Sequence, residues 1–115
     1  MKLETVKEIL GAKILTGEDM LDTDVNSACG CDLMSDVLAF VKDQGLLLTG
    51  LMNPQVIRTA EMMDIKAIVF VRGKVPEECI IGMARDRDIA LLSTEKPLYI
   101  ACGLLYEGGM KNEVG

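Results

Sequence analysis

The chain has 115 residues, half of them hydrophobic, which is enough for one domain with a substantial core and too few for two. Its net charge is −6, with twelve Lys and Arg scattered among eighteen Asp and Glu; that leaves no basic cluster to hold nucleic acid or an anionic membrane surface. It contains no His, so the usual proton shuttle near neutral pH is missing.

In chain order, Leu3, Val6, Ile9 and Leu10 recur at helical spacing, and Gly11 follows as a stop. Ala12–Thr16 predicts a short strand, Gly17-Glu18-Asp19 a turn, and Leu21–Asp24 an irregular polar segment. Val25–Cys31 predicts a second extended segment. Asp32 is placed to cap a helix that runs to about Lys42, with Leu33, Met34, Val37, Leu38 and Val41 on one face. Three continuous apolar runs follow: Leu46–Thr49, Ala67–Val71 and Ile89–Leu92. Runs of this length suit strands covered on both faces, as in a parallel sheet. Each leads through a polar turn to a proline, Pro54, Pro76 or Pro97, spaced 22 and 21 residues apart. Proline favours the first position of a helix. Behind each stands a helical stripe: Val56, Ile57, Ala60 and Met63; then Cys79, Ile80, Met83 and Ala84; then Leu98, Ala101, Leu104 and Leu105. Strand, turn and helix repeated in this way predict a layered α/β/α domain with a mainly parallel sheet of four to five strands. The single domain covers 1–109, and 110–115 is expected to be a frayed tail.

The core is aliphatic and rich in sulfur, with eight Met, two Phe, two Tyr and no Trp. So much apolar content in a small domain predicts that part of it lies in a homodimer interface. Acidic residues as early as Glu4 and Glu8 argue against a targeting segment. Apolar runs such as Ile65–Val71 are too short to span a bilayer. The expected location is the cytoplasm, where Cys29, Cys31, Cys79 and Cys102 stay reduced.

In an open parallel sheet, ligands sit outside the carboxyl ends of the strands, where helix N-termini offer free N–H groups. The turns expected there carry hydroxyls, an amide, cations and glycines. The candidate ligand-binding residues are Ser27, Thr49, Gly50, Asn53, Arg72, Gly73, Ser93 and Thr94. Asn53 also suits a plain helix cap before Pro54, Ser93 and Thr94 could cap likewise, and the glycines suit tight turns. None of these turns has the glycine and lysine spacing of a Walker loop or a dinucleotide fingerprint, so no cofactor is implied.

Cys29-x-Cys31 falls short of a metal or cluster set without more ligands, and it is not the Cys-x-x-Cys of thiol redox enzymes. Glu18, Asp19, Asp22 and Asp24 lack the spacing and glycine of an EF-hand loop. Arg85-Asp86-Arg87-Asp88 reads as a solvated helix end. No catalytic constellation emerges, and the chain is expected not to be an enzyme.

The segments Leu48-Thr49-Gly50-Leu51-Met52-Asn53-Pro54-Gln55, Lys66–Gly73 and Leu91-Leu92-Ser93-Thr94 resemble the DRTGG-domain family, and the resemblance extends from about Met1 to Gly109. The family is similar in fold to the N-terminal domain of HPr kinase/phosphorylase, a layered α/β domain. The resemblance implies a regulatory or ligand-sensing module, commonly dimeric, with no activity established for the domain alone. The Asp-Arg-Thr-Gly-Gly string of the family name is absent. Thr49-Gly50 is its nearest counterpart, with Leu51 in place of the second Gly.

The reading favoured by these features is a non-catalytic regulatory module that senses a small anionic, nucleotide-like metabolite at the strand ends. The alternative is a protein–protein adaptor that meets a larger partner through some of Met34, Met52, Met62, Met63, Met83 and Met110. A third reading is a redox or metal protein built on Cys29 and Cys31.

Overall fold

Alternate residues of the apolar runs face opposite ways, so a sheet made from them needs cover on both sides. The computed structural model of the chain, which describes residues 1–40 and 45–111, provides that cover. The order is α1 (Leu3–Leu10), β1 (Lys13–Thr16), a 3-10 turn at Glu18–Met20, β2 (Ser27–Gly30), α2 (Met34–Phe40), β3 (Gly45–Thr49), α3 (Pro54–Met62), β4 (Ala67–Phe70), α4 (Glu78–Asp86), β5 (Ala90–Ser93) and α5 (Leu98–Glu107). The five strands form one sheet in the order β1-β5-β4-β3-β2. β2 to β5 are parallel, and β1 pairs antiparallel with β5. The α/β class, the layering and the mainly parallel sheet agree with the sequence.

The parallel strands follow one another in chain order, so each right-handed crossover steps the same way and lands on the same face. On that face Leu47, Ile68, Phe70 and Leu91 pack with Met34 and Val37 of α2, Val56, Ile57 and Ala60 of α3, and Ile80, Ile81 and Ala84 of α4. On the other face Leu46, Leu48, Ala67, Val69, Ala90 and Leu92 pack with Leu3, Val6 and Leu10 of α1 and with Ala101 and Leu105 of α5. Among the described residues this sets α2, α3 and α4 on one side and α1 and α5 on the other.

Several local expectations are corrected. Only Pro54 opens a helix; Pro97 is the extended N-cap of α5, and Pro76 lies ahead of Glu77, the N-cap of α4. Cys79, placed on a buried stripe by its spacing, is exposed, because α4 turns Ile80, Ile81 and Ala84 inward instead. The packed chain extends past 109: Met110 is buried in the α1/α5 core. The expected extension of α2 to Lys42, with Val41 on its face, lies outside the described residues, as does the tail from 112. Among the described residues no helix is long and apolar enough to cross a membrane.

Candidate functional site

After β4 the chain passes to α4 on one face of the sheet, and after β5 it passes to α5 on the other. Loops that part in this way make the switch point at which α/β sheets bind ligands. Here the protein's own contacts close the gap. Arg72 N–H donates to the Lys96 carbonyl at 3.0 Å and Gly73 N–H to the Thr94 carbonyl at 2.8 Å. Ser93 Oγ donates to the Lys74 carbonyl at 2.8 Å. Arg72 and Gly73 have φ of 58° and 70°, and Lys74 N–H closes the turn onto the Val71 carbonyl at 3.2 Å. Positive φ at both central residues is the pattern of a type I′ turn. A Cβ on Gly73 would stand 2.6 Å from Glu95 Oε2, so glycine leaves room for that carboxylate. A ligand at the switch point would rest on top of these loops, among the side chains of Arg72, Lys74, Glu95 and Lys96.

Beside it lies a second cluster, joining the ends of β2, β3 and β4. Asp32 Oδ1 accepts from Thr49 Oγ1 at 2.7 Å and from Gly50 N–H at 2.8 Å. Lys74 Nζ donates to the Gly50 carbonyl at 3.1 Å. The Asp32 pKa is lowered, first by the Thr49 hydroxyl and then by the Gly50 N–H, against a smaller opposing effect of burial, with the charge of Lys74 as the least of the lowering causes. The carboxylate thus occupies two donors that would otherwise meet an incoming anion.

Of the residues named from sequence, Thr49, Gly50, Arg72, Gly73 and Ser93 meet at this end of the sheet. Asn53 is nearby as the N-cap of α3, its side chain accepting from Val56 N–H at 3.3 Å. Ser27 does not join them: it pairs with Gly45, the first residue of β3, and so lies at the amino end of the strands. Thr94 is buried, and its hydroxyl donates to the Leu10 carbonyl at 2.8 Å, tying β5 to the end of α1. Asp32 was read as a helix cap and is instead a cross-link to β3. Its place two residues before α2 gave no sign of a partner 17 positions away. Lys74 was legible only as one polar residue in a turn.

The cysteines do not assemble into this site. Cys29 and Cys31 lean toward the α2–α4 face and Cys102 toward the other. Burial, then Cys31, Cys102 and Asp36, raise the Cys29 pKa, and burial raises that of Cys102. Both remain protonated near neutrality and are poor nucleophiles. Among the described residues no group of three or more His, Cys, Asp or Glu is placed to hold a metal. Two shallow cavities of about 150 and 130 Å³ lie at the opposite end of the sheet, walled by charged side chains such as Asp64, Lys66, Arg85 and Asp88.

No protein-family model matches the chain, and no curated protein matches it by sequence. By structure it is similar to the CBS and DRTGG domains of the regulatory region of Clostridium perfringens pyrophosphatase, solved in complex with the activator diadenosine tetraphosphate, with a TM-score of 0.75 and 14% identity. The fold is DRTGG-like. The similarity covers 90% of this chain and 45% of the other, so this chain spans under half of its neighbour's length. In this DRTGG-like domain the Thr49-Gly50 pair sits where β3 ends and both residues donate to Asp32.

That arrangement makes a pH prediction for the DRTGG-like domain. A carboxylate with a lowered folded pKa contributes stability above its unfolded pKa, about 3.9 for Asp, and loses it as pH falls through the folded value. Urea midpoints of wild type and Asp32→Asn should therefore differ at neutral pH and converge in acid below about pH 3.9. Asp32 is exposed, so solvent screening keeps the difference small. A gap that stays constant with pH would contradict this account of Asp32.

Proposed function

We propose that this domain is a non-catalytic regulatory module that senses a small anionic, nucleotide-like metabolite at the carboxyl ends of its strands. The observation carrying this reading is the polar cluster of Asp32, Thr49, Gly50 and Lys74 beside the Arg72-Gly73 turn. Arg72, Lys74 and Lys96 supply cations for phosphate oxygens, and Arg72 can do so in a bidentate fork. Asp32 supplies an acceptor for a ligand hydroxyl or amine, since a second anion placed on it would be repelled. Cation and acceptor side by side suit a molecule with both phosphate and hydroxyl or amine groups. The structural neighbour is itself a regulatory region bound to a nucleotide activator, which supports the class of ligand.

A thermal-shift screen with inorganic phosphate, adenine nucleotides and diadenosine tetraphosphate tests the reading. A ligand present at a hundred times its Kd stabilises the native state by about 2.7 kcal/mol, a shift on the order of 10 °C for a domain of this size. Lys74→Ala and Arg72→Ala should remove the shift while leaving the unliganded melting temperature close to that of wild type. A shift that survives both variants places the ligand elsewhere. No shift with any compound favours the adaptor reading, which has its own support: Leu33, Val75, Tyr99 and Ile100 are exposed around the same end of the sheet, where a larger partner could cover them.

A further inference from the structure

We propose that the free carboxylate oxygen of Asp32 reads the sugar hydroxyls of a phosphorylated ligand, so that the site selects adjacent hydroxyls beside a phosphate; this rests on the ligand reading and sharpens it. Asp32 Oδ1 accepts from Thr49 Oγ1 at 2.7 Å and from Gly50 N–H at 2.8 Å. A carboxylate oxygen has two lone pairs, so Oδ1 is saturated. Among the described residues no hydrogen bond reaches Oδ2. Both of its lone pairs stay open, and a pair of adjacent hydroxyls can donate to both.

The acceptor is held in place before any ligand arrives. Thr49 is fully buried, and its hydroxyl also accepts from Leu51 N–H at 3.1 Å, so the oxygen that anchors Asp32 cannot turn away. Lys74 is fixed on the other side of Gly50. Its Nζ donates to the Gly50 carbonyl at 3.1 Å, and its own carbonyl accepts from Ser93 Oγ at 2.8 Å. A Cβ built on Gly50 would stand 3.5 Å from Lys74 Nζ and 3.8 and 3.9 Å from Asp32 Oδ2 and Oδ1. Glycine leaves that point open, so a ligand atom there touches ammonium and carboxylate at ordinary contact distance. Groups already ordered cost less to bind to.

The two charges decide what fits. A ligand ammonium placed there is repelled by Lys74, and a second anion by Asp32. A neutral O–H donor next to an anion satisfies both. At neutral pH Asp32, its pKa lowered, is ionised and can only accept, so the hydroxyl must be the donor. Nucleotides and simple sugar phosphates both carry this chemistry.

Calorimetric titration of the full chain with adenosine monophosphate, with its dideoxy analogue lacking both sugar hydroxyls, and with ribose phosphate tests the proposal. Wild type should bind adenosine monophosphate about tenfold tighter than the dideoxy analogue, as a hydrogen bond to a charged group warrants. Asp32→Ala should bring that ratio near one. Asp32→Asn keeps an oxygen for Thr49 and Gly50 but sets an NH2 donor where Oδ2 stands, and it should lose most of the preference. Thermal melts of both variants without ligand establish that they are folded. Equal binding of the two adenosine compounds by wild type overturns the proposal and leaves the ligand reading standing, as does a preference that survives both substitutions. Failure of all three compounds to bind overturns the ligand reading and this inference with it. Ribose phosphate binding as tightly as adenosine monophosphate upholds the hydroxyl contact and assigns the ligand to the sugar phosphates.

Discussion

Phe70→Ala is expected to lower the free energy of unfolding by about 3–5 kcal/mol and the melting temperature by on the order of 15 °C. Phe70 ends β4, the middle strand of the sheet, and is fully buried, the largest side chain so enclosed among the described residues. It packs in the core that joins β3, β4 and β5 to α2, α3 and α4. Truncation removes the transfer energy of the ring and leaves a void that two regular layers cannot collapse to fill. The loss is a large share of the stability of a domain this size. Phe70→Leu keeps most of the volume and should cost less than about 1.5 kcal/mol. Urea unfolding of the three proteins checks both values. A loss under about 1 kcal/mol for Phe70→Ala would mean that α2–α4 do not close over β4 as described.

Gly17→Val should be destabilising by about 2–5 kcal/mol, from two independent causes. Gly17 has φ of 93°, a conformation that costs a side-chain-bearing residue about 1–2 kcal/mol. A Cβ there would also stand 2.8 Å from both the Cα and the Cβ of Ala90, and relieving such a clash costs about 1–3 kcal/mol more. The obstacle is the backbone of β5, not the tip of a flexible side chain, so it cannot swing aside. By contrast Gly11→Ala, at φ 59° with nothing within 4 Å of the new Cβ, should lose only the conformational part, about 1–2 kcal/mol. Chemical denaturation of the two variants separates strain from collision. Equal losses would show that β1 and β5 can part at this point without penalty.

Much of the architecture is written in the order of residues. The unbroken aliphatic stretches in β3, β4 and β5 carry no alternation, and the reason is physical: both faces of each strand are covered, Leu46 and Leu48 by one layer and Leu47 by the other. Turn, capping and stripe signals are local, so Gly11 as a stop and Asn53 as a cap were also legible. Tertiary structure decided what depends on which strands become neighbours. The sheet order places β1 antiparallel against β5, with a bulge at Leu15, and so brings Gly17 onto Ala90. The direction of β2 sends Ser27, its first residue, to the wrong end of the sheet for the site, whereas Asp32, just past its last residue, reaches it. Thr94 looked like a ligand contact because it follows a strand, but the helix packed beneath offers it the Leu10 carbonyl. Sequence specifies elements through short-range periodicity and backbone preference. The site depends on contacts such as Asp32 to Thr49 and Lys74 to Gly50, across 17 and 24 residues, which exist only once hydrophobic burial has chosen the strand order.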